Sequence, residues 1–378
     1  MEIFSFWYEI KSTLGIFDWA NDCSNTIRNI KIKNFFIQTT IKTMRSISIF
    51  LFIFFSVISC KDNSEGFIIE LKSSQNEIIV GSSIVFSVVD NSGEDLTSES
   101  NFYIEGQIID GNSFSFNNSG EFDVYAIYNN ITTETITITV NDPPIYFEKY
   151  VMVEDFTGTW CGWCPRVSYA LEYGKEQIEN LVVIANHYND PMQNSHSLRI
   201  NNLFGINSYP SVLINRYKNW NNQSISGLSD INSELNFNST AAVALESSLT
   251  GNNLYVKAKL KMGENFDALT LGVMLLEDGL VRPQSNYTSY YGGLNPVANF
   301  VHNDILRDYF TNVLGYIIPD ESIGHGKIFE KEFNIDLSSY DNIQNLRLVA
   351  FVSNRTNRKI INVRASSIGE NQNYNQIN

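Results

Sequence analysis

Two cysteines stand two residues apart in the run Glu154-Asp155-Phe156-Thr157-Gly158-Thr159-Trp160-Cys161-Gly162-Trp163-Cys164-Pro165. No other stretch limits the fold as tightly. Val151, Met152 and Val153 lead in as an apolar strand. Behind Pro165, the apolar residues Val167, Ala170, Leu171 and Ile178 recur at roughly helical spacing. The run therefore predicts a strand end, a short turn, and a helix that opens on the cysteines. On a first helical turn, Cys161 and Cys164 can close a small disulfide ring. The position also suits a thiolate, because a helix N-terminus carries partial positive charge and unpaired N–H groups. Pro165 falls where a missing N–H costs little. Half a zinc site is the competing use of such a pair, and zinc needs about four ligands. There is no second Cys-x-x-Cys, and His187, His196, His302 and His325 form no pair at ligand spacing. No metal and no cofactor are expected.

Two further features favour redox chemistry. Asp155 lies on the strand that feeds the turn, where burial can raise a carboxyl pKa and let it move a proton to or from a thiol. Read blandly, it is a strand-end Asp bonded to a backbone N–H. Tyr209-Pro210 directly precedes the apolar run Ser211-Val212-Leu213-Ile214. A proline at the first residue of a strand can take the cis form and offer a backbone edge to a substrate peptide. Otherwise it is a trans proline that merely starts a strand.

In order and separation, Asp155-Phe156, Trp160 to Cys164 and Tyr209-Pro210 resemble the thioredoxin-like fold, over about residues 145–240. The resemblance implies Cys161 as attacking cysteine, Cys164 as resolving cysteine, Asp155 as buried proton acceptor and Pro210 as cis-proline. Tyr209, Trp160 and Trp163 would help seat a substrate. Trp163-Cys164-Pro165 departs from thioredoxin itself, which has a proline before its second cysteine; that dipeptide tunes redox poise. His187 follows the apolar strand Leu181 to Ala185 and would share the rim with Cys161. A loop histidine without a task is the simpler reading. Copper delivery through Cys161, Cys164 and His187 would rest on one histidine.

The chain has 378 residues, enough for two or three domains, and a net charge of −15. Such a surface repels phosphate backbones, so nucleic acid is not an expected partner. The cysteines number only 4, which excludes a disulfide-stapled scaffold. Lys42-Thr43-Met44-Arg45 and the apolar run Ile47 to Ile58 read as a signal peptide, residues 44–59, ending at Ser59-Cys60. The apolar run is shorter than the roughly 20 residues a membrane-spanning helix needs. Cys60 stands where a lipidated N-terminal cysteine would fall, with residues 60–66 as a polar tether. A plain signal peptide or anchor is the alternative. Met44 would give a signal peptide of normal length, so residues 1–43 read as an over-extended N-terminus.

Alternating strands at residues 67–141, separated by turns such as Asn91-Ser92-Gly93, predict an immunoglobulin-like sandwich. Residues 241–367 alternate again, as at Leu254, Val256, Ala258 and Leu260, and predict a second β-sandwich interrupted by a helix over Asn303 to Thr311. Tyr287, Tyr290 and Tyr291 are either core filling or an exposed binding patch. The expected fold class is thus multidomain α/β plus all-β: a thioredoxin-like fold flanked by two β-sandwiches.

The succession of Val57-Ile58-Ser59-Cys60, which resembles a bacterial lipobox, a β region, the cysteine motif and a C-terminal β region containing Phe300-Val301-His302-Asn303-Asp304-Ile305-Leu306-Arg307 resembles the outer-membrane-protein-28-related lipoproteins of Gram-negative bacteria. The resemblance implies a lipoprotein anchored in the outer membrane through Cys60, on its periplasmic face or at the cell surface. Two functions are expected in competition. One is thiol–disulfide exchange with protein thiols and disulfides, in which Cys161 attacks and Cys164 resolves. The other is a non-catalytic binding or structural lipoprotein stapled by a static disulfide, since fold alone does not establish function.

Overall fold

A computed structural model describes residues 67–377. The signal peptide, the start at Met44, Cys60 and its tether lie outside the described residues. From Ile69 to Asn141 the chain forms two sheets, one of three strands and one of six. Ile84, Phe86 and Val88 enter the core between them from the first; Val124, Ala126, Ile138 and Val140 enter from the second. Alternate residues of a pleated strand face opposite ways, so one face of each strand is apolar.

The largest sheet of the remaining residues has nine strands, beside smaller sheets of three and two. β1 (Val151–Thr157), α1 (Cys164–Gln177), β2 (Leu181–His187), α2 (Ser195–Leu203), β3 (Ser211–Ile214) and β4 (Lys218–Asn219) come first. Next are β5 (Ala241–Thr250), β6 (Asn253–Met262), β7 (Leu269–Glu277), β8 (Leu280–Gln284) and β9 (Val297–His302). β10 (Ile305–Tyr309), β11 (Tyr316–Ile317), β12 (Ile328–Asp336), β13 (Leu346–Asn354) and β14 (Ile360–Ser367) follow. Nine of these strands make one sheet in the order β4-β3-β1-β2-β10-β7-β13-β14, with β11 also on β7. β2 pairs parallel with β1 and with β10; the other pairings are antiparallel.

All seven residues of β1 and of β2 are buried, as in a strand covered on both faces. Val151, Val153 and Val183 pack under Val167, Ala170 and Leu171 of α1. On the other face, Met152, Phe156 and Ile184 meet Ile200 of α2. α2 starts where Asn194 accepts hydrogen bonds from the backbone N–H groups of His196 and Ser197, closing a capping box with Ser197. β5, β6 and β12 form a separate three-stranded sheet that packs against β7 and β13.

The expected fold class does not hold. Among the described residues strand outweighs helix, 46% to 15%, and no self-contained thioredoxin-like α/β core stands apart from a C-terminal sandwich. The strands around the cysteine motif continue instead into β10, β7, β13 and β14. The Asn303 to Thr311 helix is also corrected: this segment is β10. Its apolar residues suit a helix face as well as a strand, but the free edge of β2 requires a partner for its backbone groups. The N–H of Ala185 donates to the carbonyl of Asp304 at 2.7 Å, and Ala185 registers with Ile305.

An ion pair ties the two halves of this sheet together. Arg216, after β3, donates to both carboxylate oxygens of Glu154 on β1, at 2.9 and 2.8 Å. It also donates to the Tyr309 hydroxyl on β10 and to the Val313 carbonyl, each at 2.8 Å. Its guanidinium lies 4.8 Å from the ring centre of Phe351 on β13. Both charged groups are buried, Glu154 fully. Removing one partner of such a pair leaves an uncompensated charge, whereas removing both does not. Arg216→Met alone is therefore expected to destabilise the fold by about 3–5 kcal/mol, seen as a lower urea midpoint. The double change Glu154→Met with Arg216→Met is expected to lose much less. Equal losses would mean that the stranded charge is not the cause.

Candidate functional site

β1 ends at Thr157, and the chain turns through Gly158 to Trp163 before α1 begins at Cys164. Within the turn, the N–H of Cys161 donates to the Gly158 carbonyl at 2.9 Å and that of Cys164 to the Cys161 carbonyl at 3.2 Å. Cys161 and Cys164 are joined as a disulfide. Neither is open to solvent: Cys161 is 4% exposed and Cys164 1%.

What covers them comes from far along the chain. The segment after β8 lies over the turn. Gln284 donates its side-chain amide to the carbonyls of Cys161 and Gly158, at 3.0 and 3.3 Å. The N–H of Ser285 donates to the Thr159 carbonyl at 2.8 Å, and that of Tyr287 to the Gly162 carbonyl at 2.7 Å. The Tyr287 ring sits so close over Gly162 that any Cβ there would collide with it. Tyr287 also meets Trp163 edge to face, 5.9 Å between ring centres.

Gln284 also lines a small cavity of about 40 Å³, together with Asp155, His187, His302 and Asp304 among others. Asp155 is buried, and its Oδ1 has no hydrogen-bond partner. Burial, and secondarily the nearby Asp304, push its pKa up to about 8. His302 is pushed down to about 4, by burial first and His187 second, and its Nε2 is likewise unpartnered. Both are thus neutral near pH 7. His187 Nδ1 lies 2.6 Å from the Asp190 carboxylate. Burial disfavours the Asp190 charge, but His187 and the N–H groups of Thr159 and Met192 outweigh it and keep the carboxyl below its usual range.

The Tyr209-Pro210 peptide is cis and precedes β3. Tyr209 stacks on Tyr188 at 5.3 Å and meets Trp160 edge to face at 5.4 Å. Burial, with Tyr188 second, pushes its pKa up to about 12. Trp160 donates its indole N–H to the Tyr188 carbonyl at 2.8 Å. Of the residues singled out from sequence, Cys161 and Cys164 are therefore bonded, and Trp160 and Tyr209 are in contact. Trp163 faces Tyr287, and Asp155 lines the cavity behind Gln284. His187 is buried against Asp190 and is not a free rim histidine.

Sequence reasoning missed Gln284 and Ser285 altogether, and met His302 only as one of four histidines and as part of the run Phe300 to Arg307. Tyr287 was visible in it only as one of a tyrosine cluster. Nothing local connects residues 284–287 to a motif more than a hundred positions earlier. Among the described residues, no group of three or more His, Cys, Asp or Glu side chains is arranged to hold a metal ion.

Residues 198–372 match the family model described as outer membrane protein Omp28. Over that stretch, slightly under half of the chain, the sequence is similar to that family. No curated protein matches it. Two solved structures from Porphyromonas gingivalis are similar. HBP35 is 21% identical, covers 59% of this chain and 76% of its own, and has a TM-score of 0.48. A domain of the outer membrane lipoprotein Omp28 is 15% identical, covers 35% and 89%, and has a TM-score of 0.23.

The Asp155 cavity has a consequence for stability. The folded chain keeps a proton on Asp155 up to about pH 8, while the unfolded chain releases it near 3.8. Between those values the native state binds more protons, so this group removes stability as pH rises. Asp155→Asn is expected to shrink the difference between urea unfolding energies at pH 5 and pH 8.5 by a few kcal/mol. An unchanged difference would mean that Asp155 is ionised in the folded chain.

Proposed function

We propose that the chain is an outer-membrane lipoprotein of the Omp28 type, anchored through Cys60, whose cysteine-bearing sheet is a non-catalytic binding or structural scaffold. The Cys161–Cys164 disulfide is static in this reading. It staples the turn that carries Trp160 and Trp163 and is not exchanged with other proteins. The observation that carries this is the cover: four hydrogen bonds from Gln284, Ser285 and Tyr287 seal the cysteine turn. Exchange requires an incoming thiolate to reach one sulfur along the S–S axis, and Cys161 is 4% exposed. Trp160, Trp163 and Tyr287 stand exposed around the cover and form the apolar contact surface of the scaffold. The membrane assignment is supported by the Omp28 match over residues 198–372 and by the signal-like run ending at Cys60.

Insulin reduction with dithiothreitol as electron donor tests the reading. Wild type and Cys161→Ser are both expected to leave the background rate unchanged; catalysis by wild type that Cys161→Ser abolishes would restore thiol–disulfide exchange with protein partners. A second measurement follows the bond itself. The native disulfide is expected to resist millimolar dithiothreitol until urea unfolds the chain. In Gly162→Ala, where Tyr287 must move aside, it is expected to be reduced at least tenfold faster, read by maleimide labelling. Cys60→Ala is expected to shift the protein from the membrane fraction to the soluble one; retention in the membrane would refute the lipid anchor.

A further inference from the structure

A second cavity, of about 280 Å³, opens beside the turn between β13 and β14. Arg199 of α2 and Arg355 and Arg358 of the turn converge on it. Arg216 lines it too, but its charge is already matched by Glu154. No carboxylate contributes to the lining. Among the described residues, the arginines in ion pairs are Arg216, Arg307 and Arg347; Arg199, Arg355 and Arg358 are in none. The chain as a whole carries a net charge of −15. Three unpaired arginines at one cavity, in a protein with so many carboxylates, concentrate positive potential where the surface is otherwise negative.

The other side chains around this cavity suit the same purpose. Thr270 and Ser353 are buried, with their hydroxyl oxygens 2.7 Å apart. Only one of the two protons is used in that bond, so one hydroxyl proton remains to donate. Leu314 and Ile317 supply an exposed apolar edge. Guanidinium forks match the oxygens of a phosphate group in pairs, better than a lysine point charge would. At about 30 Å³ per water, the cavity holds roughly nine waters. That exceeds a bare phosphate and lies near the lower limit for small-molecule sites.

We propose that this cavity binds a small phosphate monoester: the phosphate is held by Arg199, Arg355 and Arg358, and its organic body rests against Leu314 and Ile317. The site lies apart from the cysteine turn and holds whether or not the disulfide exchanges.

Calorimetry on the full chain in detergent tests it, with glucose 6-phosphate, inorganic phosphate and glucose as probes. Glucose 6-phosphate is expected to bind saturably and more tightly than inorganic phosphate, with affinity that falls as salt rises; glucose is expected not to bind. The triple variant Arg199→Ala, Arg355→Ala and Arg358→Ala is expected to lose at least tenfold in affinity, while Arg282→Ala, remote from the cavity, matches wild type. Co-sedimentation with phosphatidic acid vesicles, compared with phosphatidylcholine vesicles, distinguishes a lipid phosphate from a soluble one. Retention on the former that the triple variant loses would assign the phosphate to a lipid headgroup. The proposal is overturned if neither glucose 6-phosphate nor phosphatidic acid is bound, if glucose binds as well as its phosphate, or if the triple variant binds like wild type while its thermal midpoint is unchanged.

Discussion

The fold depends on how a buried arginine is satisfied. β2 and β10 share only one registered residue pair, Ala185 with Ile305. Across that narrow join, Arg216 reaches Glu154 on β1, Tyr309 on β10 and the Val313 carbonyl together. Taking two opposite charges out of water costs several kcal/mol per ion, and their attraction offsets this only when the geometry is good and the remaining donors are used. The fork is bidentate, and two of the three other N–H donors find a hydroxyl and a carbonyl. The guanidinium carbon lies over the Phe351 ring, 4.8 Å from its centre. Asn215 and Arg216 both take positive φ to bring the side chain there. The pair thereby couples the strands that carry the cysteine turn to strands contributed by the C-terminal half of the chain.

That coupling changes what the cysteine motif can do. In a small unit standing alone, a disulfide at a helix start would face solvent. Here β7 and β10 bring the β8–β9 hairpin alongside the motif, and the end of β8 with the segment after it settles on the turn. Gln284 of the cover also lines the cavity in which Asp155 and His302 are held neutral. Buried polar atoms without partners, such as Asp155 Oδ1 and His302 Nε2, are costly and uncommon in folded chains. Both atoms belong to residues that line one cavity, and Gln284 of the cover lines it with them.

Some of the site was legible in sequence because it is local. Val151 to Ile178 carries its strand, turn and helix signals in one continuous run, and the structure forms those elements. Tyr209-Pro210 beside an apolar run also announced a strand start. Gln284 and Tyr287 carry no mark that assigns them to Gly162 or Cys161, since their role depends on a contact across the fold. Residues 303–311 failed for a related reason. Ile305, Leu306 and Tyr309 satisfy a helix period as well as a strand period over so short a run, and the waiting edge of β2 decided between them. The arginines of the second cavity are dispersed at 199, 355 and 358, so sequence gave no sign that they meet.

Sequence alone determined the cysteine pair and the signal-like run ending at Cys60, along with an acidic surface and β-rich flanks. Each of these follows from residue chemistry or from a period within a single segment. Tertiary structure alone decided that the strands merge into one nine-stranded sheet, that the sulfurs are covered, and that three arginines converge. Such outcomes depend on which distant edge, ring or charge comes to lie beside a group, and hydrophobic periodicity carries no information about partners hundreds of positions away.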